Sequence, residues 1–174
     1  TVCQGSSVSF SVTATGGGLT YRWRKNNVDL ADAGGISGAT TSVLTIDPVS
    51  AADAGSYTVR VSGACTPPVV SKVAALKVTK ALGTAGAMTG PTLVCAGKAG
   101  LVYRIAPVAD ATGYTWTVPA GARIVSGQGK ASISVTWGTE PGDVTVAPRN
   151  SCFTGSSVTR SVSVSALEIT QQPV

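Results

Sequence analysis

The stretch Asp53-Ala54-Gly55-Ser56-Tyr57-Thr58-Val59-Arg60-Val61 decides the fold. Acid, glycine and tyrosine at alternate positions make a tight turn that leads into a strand. Beyond Tyr57, Val59 and Val61 share one face while Thr58 and Arg60 share the other, the period of two expected of a half-buried strand. The same period runs outward from this stretch. Leu44 and Ile46 face opposite to Thr45, and Tyr21 and Trp23 point inward from another strand, which Asn26-Asn27 turns back. Val8, Phe10 and Val12 alternate with Ser9, Ser11 and Thr13 until Gly16-Gly17-Gly18 ends the run.

The pattern is written twice. Val2-Cys3-Gln4-Gly5 recurs as Val94-Cys95-Ala96-Gly97. The first copy is followed by Tyr21, Trp23 and Cys65, the second by Tyr114, Trp116 and Cys152. Equivalent positions lie roughly 90 residues apart, the size of one small β-sandwich. The 174 residues are therefore expected to form two domains in tandem. In the second copy Tyr103 and Ile105, then Tyr114, Trp116 and Val118, then Ile133, Val135 and Trp137 form inward rows, with Val144, Val146, Val162 and Val164 in the last strands. Between the copies, Thr79 to Pro91 is rich in Gly, Ala and Thr without periodicity and reads as a linker and lead-in.

Charged residues make up only 12% of the chain, and Ser, Thr, Val, Ala and Gly dominate, a composition suited to strands with hydroxylated outer faces. No apolar run is long enough to span a bilayer, so no membrane insertion is expected. The net charge of +5 is scattered; only Arg22, Arg24 and Lys25 cluster, and they read as one solvated strand face rather than a nucleic-acid patch. With four cysteines in recurring positions, no histidine and no Cys-x-x-Cys, disulfides in an oxidising, extracellular compartment are favoured over a metal site.

The segments Gly5-Ser6-Ser7-Val8-Ser9-Phe10, Tyr21 to Asn27, Ser42 to Ile46 and Asp53 to Val59 resemble strands B, C, E and F of an immunoglobulin-like domain over residues 1–79. The resemblance implies that Trp23 is the buried core tryptophan and that the Tyr57 hydroxyl ties back to upstream backbone. It also implies that the usual central cystines are replaced by Val12 and Val59, leaving Cys3 and Cys65 for another purpose. Ala111 to Ala122, Ser126 to Gly138 and Gly142 to Cys152 resemble PKD-like β-sandwich modules over about residues 88–166, in a second domain placed at 80–168. An immunoglobulin-like module followed by a PKD-like one resembles the large secreted surface adhesins of Bacteroidetes-type bacteria. The fold class expected is all-β, two tandem antiparallel β-sandwiches.

Residues 169–174 read as the first strand or linker of a following repeat: joined tail to head, Ile169 to Val174 and Thr1 to Phe10 make one continuous strand and turn. The chain is thus read as one period of a longer array.

Four cysteines allow three pairings. One bond per domain would join Cys3 to Cys65 and Cys95 to Cys152. Against it, Cys3 precedes strand B and Cys65 follows strand F at the far end, some 30 Å away at about 3.3 Å per residue, whereas a disulfide needs α-carbons within about 7 Å. The alternative joins Cys3 to Cys152 and Cys95 to the Cys65 equivalent of a following repeat, stapling successive domains. Both schemes stay open at this point.

Without histidine, Ser-His-Asp and Cys-His hydrolase chemistry is excluded. The carboxylates Asp29, Asp32, Asp47, Asp53, Asp110, Glu140, Asp143 and Glu168 fall mostly in turns rather than as a converging pair. Gly127 and Gly129 belong to a hairpin turn, and Trp23, Trp116 and Trp137 to cores rather than to sugar-stacking platforms. No catalytic residue, cofactor or metal is expected. The function expected is a non-enzymatic structural repeat of an extracellular adhesin, stalk or filament, secreted or attached to the cell surface. Its partners would be neighbouring repeats of the same polypeptide and identical chains side by side. The alternative is a module that binds cell-surface carbohydrate or protein on domain-end loops, around Asp29 to Thr41 or Gly121 to Lys130.

Overall fold

The computed structural model describes residues 1–64 and 66–165, so the expectation for residues 169–174 lies outside the described residues. Two compact units are present, Thr1–Ala81 and a second that begins at Leu82. Both are all-β, and among the described residues the one helical segment is a 3₁₀ turn, Ala51–Asp53.

In the first unit the strands are β1 (Val2–Cys3), β2 (Val8–Ser11), β3 (Thr20–Lys25), β4 (Val28–Asp29), β5 (Ile36–Ser37), β6 (Val43–Ile46), β7 (Gly55–Ser62), β8 (Val69–Val70), β9 (Ala74–Leu76) and β10 (Val78–Thr79). One sheet has the order β2-β6-β5; the other runs β4-β3-β7 with both β8 and β9 on the far side of β7. These pairs are antiparallel, while β1 lies parallel to β10. Asn26 and Asn27 take left-handed φ values of 49° and 68°, which closes the β3–β4 hairpin with the twist its strands require.

The inward rows meet as the alternation predicts. Trp23, Leu44, Ile46, Tyr57, Val59 and Leu76 are buried together, with Phe10 and Val12 packed against them. The Phe10 ring stacks on Tyr57 at 4.8 Å between centroids. Val12 and Val59, the apolar pair in place of the central cystine, belong to this one cluster. The cluster is largely apolar, so cohesion here rests on burial, worth about 1.5–3 kcal/mol for each large side chain.

In the second unit, β11 (Leu93–Cys95), β12 (Leu101–Arg104), β13 (Gly113–Thr117), β14 (Arg123–Ser126), β15 (Ser132–Thr136), β16 (Gly142–Arg149) and β17 (Val158–Ser165) form sheets of order β12-β15-β14 and β11-β17-β16-β13. All pairs are antiparallel except β11 with β17. Tyr103, Trp116, Ile133, Val135, Trp137, Val144 and Val146 make its core. The Gly/Ala/Thr stretch that reads as linker contributes to this core: Met88 is 4% exposed within it, and Thr89 exchanges two backbone hydrogen bonds with Arg104 at 2.8 and 3.0 Å.

Candidate functional site

The residues singled out from sequence sort into anchored core aromatics, cysteines at domain ends and a polar strand face. The Tyr57 hydroxyl donates to the Asp53 carbonyl at 2.7 Å, tying the start of β7 to the turn before it. That turn is fixed in its own right, because the Asp53 carboxylate accepts from both the amide and the hydroxyl of Ser50 at 2.7 Å. Burial, with the Asp53 charge adding to it, pushes the Tyr57 hydroxyl up to about 12, so it remains a donor at physiological pH.

Each tryptophan is a wall of a core with its polar end satisfied. The indole N–H of Trp23 donates to Thr41 at 2.9 Å, that of Trp116 to Lys130 at 2.7 Å and that of Trp137 to Glu140 at 3.0 Å, all at backbone carbonyls. Each is at most 3% exposed, so none offers a face for stacking on sugar. The second unit has no tyrosine where Tyr57 stands in the first, and Tyr114 performs a related task from β13: its hydroxyl oxygen accepts the Val108 amide at 2.8 Å. Tyr103 differs from all of these. Its hydroxyl is buried without a hydrogen-bond partner among the described residues, and burial raises its pKa against the opposing influence of the Arg160 charge.

The cysteines divide. Cys3 and Cys152 are each disulfide-bonded, whereas Cys95 is a free, exposed thiol within this chain. Of the two pairings left open, the one-bond-per-domain scheme therefore loses its Cys95–Cys152 bond. Strand order explains why. Cys95 pairs with Ser165 at the end of β17, whereas Cys152 precedes the start of β17 at Val158. Seven strand residues separate those ends, about 23 Å at 3.3 Å each, far beyond disulfide reach. Cys65 lies outside the described residues.

Among the described residues the carboxylates do not converge. Asp53 caps its turn, Asp32 accepts the Ala39 amide at 2.7 Å, and Asp29 pairs with Arg24 at 2.9 Å. Among the described residues no group of three or more His, Cys, Asp and Glu is placed to hold a metal, and no helix is long and apolar enough to cross a membrane. The loop around Gly121 to Lys130 is bound to its own core: Gln128 donates to the Trp116 carbonyl at 3.2 Å and Lys130 to the Gly127 carbonyl at 2.9 Å. A side chain at Gly127 (φ +87°) would put Cβ 2.1 Å from the Ser132 carbonyl oxygen, so only glycine fits this turn.

On the β3–β7 face the basic trio is largely committed to local acceptors. Arg22 reaches the Leu30 carbonyl at 3.4 Å, Arg24 the Asn27 carbonyl and Lys25 the Ala52 carbonyl. The pairing adds a cation that the sequence run does not contain, because Arg60 stands directly opposite Arg22. Both line a shallow hollow of about 470 Å³ with Thr20, Asp29, Thr40 and Ser62. Nothing local in the sequence could place Arg60 there; it follows from strand register.

Comparison with known proteins agrees with this geometry. Residues 1–62 match the model of the immunoglobulin domain family, and residues 81–164 match that of the PKD-like domain family. Among solved structures, the amphioxus IgVJ-C2 molecule is 18% identical over 91% of this chain and 97% of that one, with a TM-score of 0.55. Murine CEACAM1b is 12% identical over 94% of each chain at a TM-score of 0.59. The structure of Sidekick-1 immunoglobulin domains 1–5 is 17% identical over 95% of this chain and 35% of that one, at 0.53. No curated protein matches the chain. The chain is all-β, an immunoglobulin-like sandwich followed by a PKD-like one. Domains of these families are generally non-catalytic and typical of extracellular adhesion or structural modules.

Proposed function

We propose that this chain is a non-enzymatic structural repeat of an extracellular adhesin, stalk or filament, secreted or held at the cell surface, whose task is to carry load between neighbouring repeats. The observation that carries the reading is the state of the cysteines: Cys3 and Cys152 are bonded and sit at domain ends, while Cys95 is free. The reading takes Cys3 and Cys152 as partners. Such a bond would take tension off the chain between the two cysteines, while β17, which follows Cys152, stays in the load path. Cys95 is then left for the cysteine equivalent to Cys65 in a following repeat. Anchored tryptophans, a capped tyrosine corner and dispersed carboxylates support a scaffold rather than a reaction centre. Peptide mapping without reduction tests the pairing. A Cys3–Cys152 peptide is expected, and a Cys3–Cys65 peptide would remove the staple.

The second reading is a carbohydrate- or protein-binding module, and one observation favours it. Arg22 and Arg60, like charges placed opposite each other across two strands, cost stability unless an anion offsets them. Binding of the 174-residue chain to arrays of anionic glycans and acidic peptides tests this. A spacer binds none, whereas a binding module loses its ligand on Arg60→Ala.

A further inference from the structure

On the sheet β11-β17-β16-β13, register and burial show which residues turn away from the core. Along β16, Val144, Val146 and Pro148 are buried, so Asp143, Thr145, Ala147 and Arg149 stand on the outer face. Thr145 lies between Thr117 of β13 and Thr159 of β17, and Ala147 lies beside Thr115. Serines continue along β17, whose one cation, Arg160, turns inward to the Met88 carbonyl at 3.1 Å; β11 and β13 add no charge. The strands of this outer face therefore carry one acid and one base, both exposed, one near each end of β16. Neither has an ion-pair partner among the described residues.

The middle of the face is small and already satisfied. The hydroxyls of Thr117 and Thr145 are hydrogen-bonded to each other, so covering them takes less from water than covering free hydroxyls would. Arg149 is held low on the sheet. It stands opposite Gly113, and its guanidinium carbon lies 3.6 Å from where a side chain on that glycine would begin, so the charge rests across β13 instead of reaching into solvent.

We infer that this face binds the same face of a second copy of the chain, as an antiparallel two-fold pair. The arrangement of charge is complementary to itself: a two-fold axis crossing β16 at Val146 sets Asp143 of each copy against Arg149 of the other, and Thr145 against Ala147. Each charge lies three residues, about 10 Å, from that axis. At the crossing of about 30° that packed sheets adopt, it is displaced from its counterpart by only about 5 Å, within the reach of an arginine. A parallel pair would oppose Asp143 to Asp143 and Arg149 to Arg149, so the charges select the orientation more than they supply affinity. Four strands of up to eight residues present about 500 Å² per partner, at the low end for a specific interface. One pair is therefore weak, as suits contact between chains side by side in which many such faces repeat. The inference goes beyond the stalk reading and is independent of how repeats are joined end to end.

The test is analytical ultracentrifugation of the full chain at concentrations up to about 1 mM, high enough for an interface of this size. Every sample carries Cys95→Ser, so that no dimer arises from the free thiol. The chain is expected to dimerise reversibly, and Asp143→Arg or Arg149→Asp alone to weaken dimerisation by about tenfold or more. The two variants mixed in equal amounts are expected to recover it as a heterodimer, because both cross pairs are then opposite in sign. The double variant Asp143→Arg/Arg149→Asp is expected to dimerise as the unswapped chain does, which also shows that both substitutions are compatible with folding. A monomer at every concentration would overturn the inference, as would a dimer that survives either single substitution or a double variant that stays monomeric.

Discussion

Replacing Tyr57 by phenylalanine removes one oxygen from a fully buried ring and leaves its stacking on Phe10 in place. The lost group is the donor to the Asp53 carbonyl at 2.7 Å. A net hydrogen bond is worth about 0.5–1.5 kcal/mol, and a part-buried carbonyl left unpaired adds to that, so about 1–2 kcal/mol of destabilisation is expected. For a domain of this size that is a fall in Tm of roughly 4–16 °C. The matching change in the second unit has the opposite expectation. The Tyr103 hydroxyl is buried without a partner, so Tyr103→Phe removes a desolvated polar atom and is neutral or stabilising by up to about 1 kcal/mol. Exchange of amides in Thr20–Lys25 and Gly55–Ser62 reads the first unit, and amides in Gly113–Thr117 and Gly142–Arg149 the second. The pH dependence follows from the raised hydroxyl pKa. Because the folded value is about 12 and the unfolded one 10.0, the contribution is complete below pH 10 and is lost as pH rises toward 12. The gap between wild type and Tyr57→Phe in urea denaturation should therefore close over that window. A Tyr57→Phe protein as stable as wild type at pH 7, or a Tyr103→Phe protein that loses 2 kcal/mol, would refute the reasoning.

Three further outcomes are expected. Gly90→Ala places Cβ 2.4 Å from the Tyr103 ring at a φ of +152°, so a loss of about 2–4 kcal/mol confined to the second unit is expected in thermal melts, whereas Gly97→Ala, with open space around it, costs about 1 kcal/mol. Maleimide labelling of the folded, unreduced chain should modify Cys95 and leave Cys3 and Cys152 unlabelled until reductant is added, as mass spectrometry of the digest would record. Phe10→Ala removes a ring packed between Tyr57 and Trp23 and should cost about 3–5 kcal/mol, measured by denaturant midpoint.

Much of this was legible in the chain because alternation is a local signal. Val8 to Val12, Tyr21 to Trp23 and Ile133 to Trp137 declare their inward faces within a few residues, and Asp53 to Tyr57 carries its turn chemistry in its own side chains. What was not legible depends on which strands lie side by side. Arg60 joins Arg22 through register alone. Cys95 is out of reach of Cys152 because β11 pairs with the far end of β17, a fact of strand order that spacing does not encode. Met88 and Thr89 cover β12 from a stretch whose Gly, Ala and Thr content gives no period, since a cover strand with one apolar anchor needs none.

The most direct test of the account is to stretch single molecules of the 174-residue chain by their ends, first without and then with reductant. A Cys3–Cys152 staple predicts that under oxidising conditions the chain between the two cysteines is shielded, while β17, which follows Cys152, is pulled from its sheet. Reduction would then release about 150 residues, a contour gain of roughly 500 Å at 3.3–3.6 Å per residue. Unfolding of both units at full length without reductant would contradict a load path that runs through the cysteines.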